Sequence, residues 1–437
     1  MFQRLSSLEP AFVILAAPTL LFPTVRPSWT VAALALLLLV WLVRGLAGEL
    51  PGIPTLLDVS LLLLVIMIPV AVWASVFPEL TLPKLTGLIL GLAAFRAVVN
   101  WVRTPRSLVG ALAVFFLFGL GLMVAGAIST NWADKWPALG SLLAGVPRLI
   151  EGLPGAEAGV NANELGGALL LFLPVSLAAC MTRFGGQGAA GWAIRLLIVL
   201  LSLLFGVVLV LTQSRSAWIG AVAGLTAMAL LRWRWARWLL PPLALAVVLV
   251  VWFGDARLAF GGLFPVTSLA DAGGGASAIG LKGRVELWNR ALYAIQDFPL
   301  TGCGLGTFRQ VVHLLYPLFF VEAGTDLAHA HNAFLQVALD LGLPGLTAYL
   351  ALVGTALWAA WRMVRSGDAR HSWLALGLVG SLVAFHVYGL ADAIALGAKP
   401  GLAFWLVLAL IAALWNLEQS MGAAPAPVDV PSSQGDL

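Results

Sequence analysis

The stretch Ala328-His329-Ala330-His331-Asn332-Ala333-Phe334-Leu335 lies where the longest polar segment of the chain gives way to an apolar run. That run continues through Leu341-Gly342-Leu343-Pro344-Gly345. Two of the five histidines stand in this stretch, and a third, His313, precedes it. The unperturbed pKa of histidine lies near physiological pH, so at the edge of a membrane it is a natural proton acceptor. We therefore expect the chemistry of the protein at this boundary.

The composition is that of a membrane protein. Hydrophobic residues make up 61% of the 437 residues, charged residues make up 10%, and the mean hydropathy is +0.99. A soluble domain is typically about 45–50% apolar and about 25% charged. The sequence therefore predicts an all-α polytopic membrane protein with about 12 transmembrane helices, and no nucleic acid among its partners.

Apolar runs define the predicted spans and divide the chain. The spans cover residues 11–25, 28–46, 55–77, 84–102, 107–128, 162–182, 192–212, 216–232, 238–254, 332–361, 373–390 and 400–417. The predicted regions are 1–254 with nine spans, 255–331 as a large loop, 332–420 with three spans, and 421–437 as a disordered cytoplasmic tail. The first run follows Arg4 without a convincing cleavage site, so it is interpreted as a helix and not as a signal peptide. The first two runs could also form one re-entrant hairpin.

The distribution of Arg and Lys predicts the orientation. With the N-terminus in the cytoplasm, thirteen cations fall in cytoplasmic segments and six in short external loops. The six are Arg26, Lys84, Lys135, Arg148, Arg215 and Lys399. Cytoplasmic loops carry the excess of Arg and Lys, so both termini are predicted to be cytoplasmic and the loop 255–331 external. Cys180 and Cys303 then lie near opposite membrane faces and do not pair.

The large loop is predicted to carry two interfacial helices. A flexible opening at Asp271–Ser277 precedes the segment from Arg284 to Ile295, in which Trp288, Leu292 and Ile295 share one face at helical spacing. Tryptophan at such a face suits a membrane interface. The stretch from Val311 to Val321 is apolar enough to lie on the bilayer surface.

Arginines near the external face are candidate anion ligands. Arg215 stands between two apolar runs, and Arg284 opens the amphipathic segment. Each has an ordinary interpretation, Arg215 as a snorkelling anchor and Arg284 as a solvated charge. The functional interpretation is a phosphate clamp, since guanidinium presents a planar fork to phosphate oxygens. Weaker candidates for the same role are Arg290, Arg309 and Lys84.

The histidines offer three interpretations. His329 and His331 are two residues apart, so on a regular helix they would point to different sides, which argues against a paired metal site. A metal site that recruits Glu322 or Asp326, or a merely structural histidine, stays open. The third interpretation is a general base that takes a proton from a hydroxyl. Asp392 or Glu164 could orient such a base.

Several short motifs resemble those of one family. His331-Asn332, nine residues, Gly342, two residues and Gly345 resemble the loop signature of bacterial O-antigen ligases. Further segments are similar to the wider O-antigen ligase and polymerase superfamily. They are Asn161–Gly166 with the later Pro174, Thr212–Ser216, Gly283-Arg284 with Trp288, and Phe298–Gly306. The resemblance spans about residues 160 to 350.

The resemblance implies a GT-C-like glycosyltransferase of the bacterial inner membrane. Such an enzyme transfers O-antigen glycan from undecaprenyl pyrophosphate to lipid A-core at the periplasmic face, without ATP, metal or another cofactor. It implies that Arg215 and Arg284 grip the pyrophosphate and that His331 is the base. The further expected substrate-binding residues are Lys84, His329, Asn332, Arg290, Arg309, Trp288, Asp392, Asn163 and Glu164.

Three alternatives remain at this stage. An O-antigen polymerase uses the same donor but extends another lipid-linked glycan, and the His-Asn spacing favours the ligase. A protein O-oligosaccharyltransferase tends to be longer at the C-terminus. A secondary transporter is an alternative from a different class of protein. Charges within predicted spans, such as Asp58, favour it, but the sequence has no convincing internal repeat of the kind that transporters often show.

Overall fold

The computed structural model describes residues 8–49, 52–132, 135–136, 148, 150–153, 156–157, 159–181, 188–242, 281–322, 325–365 and 369–422. These residues form α-helices and no named β-strand. The helices are α1 Glu9–Leu21, α2 Pro27–Leu46, α3 Asp58–Ala74, α4 Pro78–Trp101, α5 Pro105–Ser129, α6 Ala162–Leu169, α7 Leu173–Cys180, α8 Ala189–Leu211, α9 Arg215–Arg232, α10 Leu281–Asp297, α11 Phe308–Leu315, α12 Ala333–Arg365, α13 Ala369–Tyr388 and α14 Leu402–Gly422. Short 3-10 helices cover Arg234–Leu239 and Lys399–Gly401.

The helices confirm a polytopic all-α membrane protein. In the described part of the chain, eight helical segments are long and apolar enough to cross a membrane, and α1 and α3 are shorter apolar helices. The predicted span 216–232 corresponds to α9, which begins and ends with arginine and is not one of the eight. Residues 243–254 of the predicted span 238–254 lie outside the described residues, as do the opening at Asp271–Ser277 and nearly all of the tail 421–437.

Proline sets several helix boundaries. Pro27, Pro78 and Pro105 are the first residues of α2, α4 and α5, where the missing N–H has no helical partner to lose. Pro174 has a larger effect. The span predicted at 162–182 is confirmed as the membrane-crossing segment Ala162–Cys180, but it consists of two short helices, α6 and α7, which meet just before this proline.

The apolar core is built around α14. Trp405 and its neighbours are fully buried, and α14 packs along α4, with α5 and α12 also beside it. α8 differs, because it exposes most of its apolar side chains, as expected for a helix that faces lipid. α9 and α13 lie along each other over most of their length.

The loop helices pack on the end of the bundle. Leu287, Ala291 and Ala294 of α10 are fully buried, whereas Leu292 is 47% exposed. The face of α10 that is buried in the protein is therefore offset by about one residue from the predicted interfacial face of Trp288, Leu292 and Ile295. α11 ends at Leu315, so only the first half of the predicted apolar stretch 311–321 is helical. Exposed apolar side chains cluster along and after it: Leu314, Leu315, Phe319 and Phe320.

A break at Gly342 divides α12 and anchors the loop. Gly342 has φ 71° and ψ 177°, a conformation that only glycine adopts readily. The carbonyl of Leu339 accepts from Cys303 N at 2.7 Å, and Leu343 N donates to the carbonyl of Pro299, also at 2.7 Å. The segment 298–306 thus takes up hydrogen-bonding groups that a straight helix would use internally, and it is held at this end of the bundle.

Candidate active site

Two histidines and one aspartate form the centre of the site. Asp392 follows α13, and its Oδ1 lies 3.2 Å from His331 Nδ1 and 3.6 Å from His329 Nε2. The two imidazole rings are 4.5 Å apart and nearly perpendicular. All three side chains are buried. The expectation that the two histidines point apart is wrong, because they precede α12 in an extended loop and both face one carboxylate.

The backbone of His331 is held in an unusual conformation. Its φ is 49°, in the left-handed region that non-glycine residues rarely adopt. His331 N donates to His329 Nδ1 at 3.2 Å, and the His331 carbonyl accepts from Trp288 Nε1, also at 3.2 Å. Asn332 then caps α12, since its Oδ1 accepts from Phe334 N and Leu335 N. Trp288 and Asn332 therefore hold the histidine loop in place.

A buried polar chain supports the same loop from below. Gln336 Oε1 accepts from the N–H of Ala330, and Gln336 Nε2 donates to Asp340 Oδ1, both at 2.9 Å. The same oxygen of Asp340 accepts from Gly306 N at 2.9 Å. Sequence analysis did not single out Gln336 or Asp340. The sequence does contain an indication of their role, because two polar residues one helical turn apart inside an apolar span are costly in a membrane unless they serve a purpose.

The hydrogen bonds indicate where the protons sit. His329 Nδ1 accepts a backbone N–H, so the neutral ring carries its proton on Nε2. Burial, and next the nearby charge of His331, lower the pKa of His329 to about 3, so this ring stays neutral. His331 Nδ1 faces the carboxylate and is the donor in that pair, which leaves Nε2 as the acceptor. Among the described residues, Nε2 of His331 has no hydrogen-bond partner.

The carboxylate is charged at neutral pH. Burial acts to raise the pKa of Asp392, but the hydrogen bond with His331 and the electrostatic influence of the neighbouring His329, His331 and Arg284 outweigh it. The pKa of Asp392 is therefore lowered below its usual range. An ionised carboxylate at Nδ1 makes the opposite nitrogen of the ring a better base.

Two of the predicted cations act on this centre. The positive charges of Lys84 and Arg284 both act on His329, and Arg284 acts on Asp392 as well. Lys84, in the first turns of α4, packs against Gly306. Glu164 of α6 lies on the other side of the centre, with Oε1 3.8 Å from His329 Nε2. The histidine-carboxylate pair thus has two cations, Lys84 and Arg284, and a second carboxylate, Glu164, in its surroundings.

Arg215 lies on a separate turn at the same end of the bundle. Gln213 has a left-handed φ of 50°, and Ser214 caps α9 through its hydroxyl, so the chain reverses sharply between α8 and α9. Gly166 lets α6 lie directly against this turn, two residues after Glu164. Arg215 is exposed at the first position of α9. It is open to an anion approaching from outside the bundle.

The remaining predicted residues are engaged with protein groups. Arg290 lies 3.9 Å from Glu286 and over the ring of Phe319, and Arg309 pairs with Asp326. Neither is among the charges that act on His329 or Asp392. Asn163 accepts from Lys135 Nζ at 3.3 Å. Lys399, whose charge acts on Glu164, was not predicted as a site residue.

The centre also offers a donor set for a metal ion. Atoms of His329, His331 and Asp392 lie within 4.8 Å of one another. Asp326, considered as a ligand from the sequence, pairs instead with Arg309. Two features disfavour a cation at this position. His329 would have to bind through the nitrogen that carries its proton, and two positive side chains already act on the ring.

Comparison with known families identifies this part of the chain. The family model described as O-antigen ligase matches residues 198–350, which run from α8 into α12 and include Arg215, Arg284 and His331. No curated protein matches the chain. Members of this family are glycosyltransferase-like ligases and polymerases that act on lipid-linked O-antigen. Residues 198–350 thus match the O-antigen ligase family, and they lie within a polytopic helical fold.

Proposed function

We propose that the protein is an O-antigen ligase of the bacterial inner membrane, with a GT-C-like fold and its site at the periplasmic face. It transfers O-antigen glycan from undecaprenyl pyrophosphate to a hydroxyl of lipid A-core. The observation that carries the proposal is the pairing of His331 Nδ1 with Asp392 at 3.2 Å, which leaves Nε2 as an acceptor, next to a histidine on which the charges of Lys84 and Arg284 act.

In the proposed reaction, Nε2 of His331 takes the proton of the acceptor hydroxyl. The hydroxyl oxygen attacks the anomeric carbon of the donor, and the bond from that carbon to the phosphate oxygen breaks. A single displacement inverts the anomeric centre. Asp392 stabilises the imidazolium that forms on His331, as a carboxylate behind a histidine base does.

The leaving group departs as undecaprenyl pyrophosphate, which needs charge neutralisation and no proton. Arg284 and Lys84 supply positive charge next to the base, and Arg215 is exposed on the neighbouring turn. Fixed cations that face the developing charge are a strong source of catalysis. The exposed apolar residues after α11 suit an approach by two lipid-linked substrates from the membrane.

The test is transfer by the purified protein from an undecaprenyl-pyrophosphate glycan to lipid A-core, with EDTA and without nucleotide. Wild type should yield glycan-capped lipid A-core, and His331→Ala and Arg215→Ala should not. His313→Ala and Arg362→Ala are matched controls, because His313 lies 3.1 Å from the carbonyl of Thr325 and Arg362 lies over Trp358, both away from the histidine-carboxylate pair. Longer glycan on the undecaprenyl carrier would show a polymerase, and no transfer to either acceptor would refute the proposal.

A further inference from the structure

Tyr388, the last residue of α13, is completely buried behind the histidine-carboxylate pair. Its carbonyl accepts from Asp392 N at 3.1 Å, so the tyrosine and the aspartate are joined through the backbone. The ring lies against Gly167 of α6, where a Cβ would come within 2.4 Å of Tyr388 Cζ. The absence of a side chain at Gly167 therefore leaves room for the ring of Tyr388.

Three buried polar atoms in this region have no hydrogen-bond partner within the described residues. They are the hydroxyl oxygen of Tyr388, Oδ2 of Asp392 and Nε of Arg284. Buried polar atoms are nearly always paired, so three together indicate bonds that form in another state of the site. The hydroxyl and Nε–H are donors, and Oδ2 is an acceptor.

The charged groups around the tyrosine come from several elements. Asp392, Glu164 of α6 and Arg284 of α10 act on the hydroxyl of Tyr388. His329 and His331 face Asp392 from the loop before α12, and Lys84 and Lys399 act on Glu164. Either carboxylate, when ionised, can accept a hydrogen bond from this hydroxyl.

We propose that Tyr388 is a positioning residue whose hydroxyl donates to Oδ2 of Asp392 in the substrate-bound protein, so that Oδ1 is kept for His331. This inference rests on the proposed role of His331 as the base. Oδ1 already accepts from His331 Nδ1 and from Ala393 N, whereas Oδ2 is unengaged. A donor at Oδ2 prevents the carboxylate from rotating away and stabilises its charged form.

The decisive variant is Tyr388→Phe. It keeps the ring against Gly167 and removes one hydroxyl that has no hydrogen-bond partner in the described part of the chain, so thermal stability should not fall. We expect kcat to drop about 10- to 100-fold, the loss typical of a hydrogen bond to a charged group, with KM unchanged. The acidic limb of the pH–rate profile should move to higher pH, because a carboxylate that loses a donor holds its proton more tightly.

Tyr349→Phe is the matched control. Tyr349 is also buried in the bundle, but its hydroxyl lies 2.8 Å from His386 Nε2, away from the site. This variant should keep the wild-type kcat and pH profile even if its stability falls. A purely structural Tyr388 would predict the opposite pattern, a loss of activity that follows the folded fraction with no shift of the acidic limb.

A measurement without turnover separates this inference from the proposed function. Difference infrared spectroscopy follows the protonation of the Asp392 carboxyl, and Asp392→Asn assigns its band. With donor lipid bound, Tyr388→Phe should move the midpoint of that titration upward. If wild type transfers no glycan, the proposed function fails and the infrared titration alone decides on Tyr388. An unchanged midpoint in Tyr388→Phe, or an unchanged kcat, would overturn the inference.

Discussion

Replacing Asp392 by asparagine should slow glycan transfer, because it removes the attraction between one negative charge and the imidazolium of His331. When His331 accepts a proton, the imidazolium lies 3.2 Å from Oδ1 of Asp392. Unit charges about 4 Å apart attract by about 4 kcal/mol at an effective dielectric constant of about 20. Since about 1.36 kcal/mol corresponds to a factor of ten in rate, the loss should be about 100- to 1000-fold.

The substitution removes little besides the charge. Asparagine has the same shape, and its oxygen can still accept from His331 Nδ1 and from Ala393 N, which now bond to Oδ1. The melting temperature should therefore stay close to that of wild type. The assay is a single-turnover measurement of transfer to lipid A-core with saturating donor, so that neither binding nor product release sets the rate.

Glu164→Gln provides a matched carboxylate. Its oxygen lies 3.8 Å from His329 and it does not bond to His331, so its effect on the rate should be clearly smaller than that of Asp392→Asn. The reasoning would be refuted if Asp392→Asn transferred glycan within about fivefold of wild type, a difference of less than about 1 kcal/mol in the barrier. Equal losses in both variants would also contradict it, because they would point to the total charge of the site.

Three further predictions concern stability. Gly342→Ala should destabilise the protein by about 1–3 kcal/mol or more, because its φ of 71° and ψ of 177° suit only glycine. Gly354→Ala in the same helix, with open space around it, should be neutral or slightly stabilising. Thermal melts that rank the two variants otherwise would be evidence against the break in α12. Burial lowers the pKa of His329 to about 3, so below about pH 6.5 the unfolded chain gains a proton that the folded protein does not. The free energy of unfolding of wild type should therefore fall by about 2 kcal/mol between pH 7 and pH 5. That of His329→Gln should fall by less over the same range. Arg44→Met should cost about 3–5 kcal/mol, because buried Glu9 loses its charged partner at 2.7 Å and keeps only the hydrogen bond from Asn100 among the bonds described for it. Adding Glu9→Leu should recover most of that loss in a double-mutant cycle, and an additive cycle would disprove the coupling.

The helices were predictable because lipid imposes a local rule. Each spanning segment must satisfy its own backbone, so a run of apolar residues is enough to indicate a helix. The predicted spans at 28–46, 84–102 and 107–128 correspond to α2, α4 and α5 on this basis. The break before α7 needed a finer argument, since Pro174 is tolerated near a helix start and disrupts a helix interior.

The pairing at the centre could not be derived from spacing. Asp392 and His331 are separated by 61 positions, and two helices run between them. Which carboxylate reaches the histidine depends on how α12 and α13 pack, and the sequence left both Asp392 and Glu164 open as its partner. The histidine loop presented a similar difficulty, because helical spacing was applied to His329, which precedes α12 and is not helical.

The arginines show that a simple local criterion would have sharpened the prediction. On a helix, an acid four residues before an arginine lies on the same face and neutralises it. Arg290 has Glu286 at that position, and the structure brings the two within 3.9 Å. Arg284 has leucine and tryptophan at the following helical contacts, positions 287 and 288, and Arg215 has tryptophan and isoleucine at 218 and 219. A cation without a local acid at a membrane surface needs a partner from elsewhere. The charge of Arg284 acts on Asp392, and among the described residues its Nε has no hydrogen-bond partner, as expected if Arg284 also binds the pyrophosphate of the proposed donor.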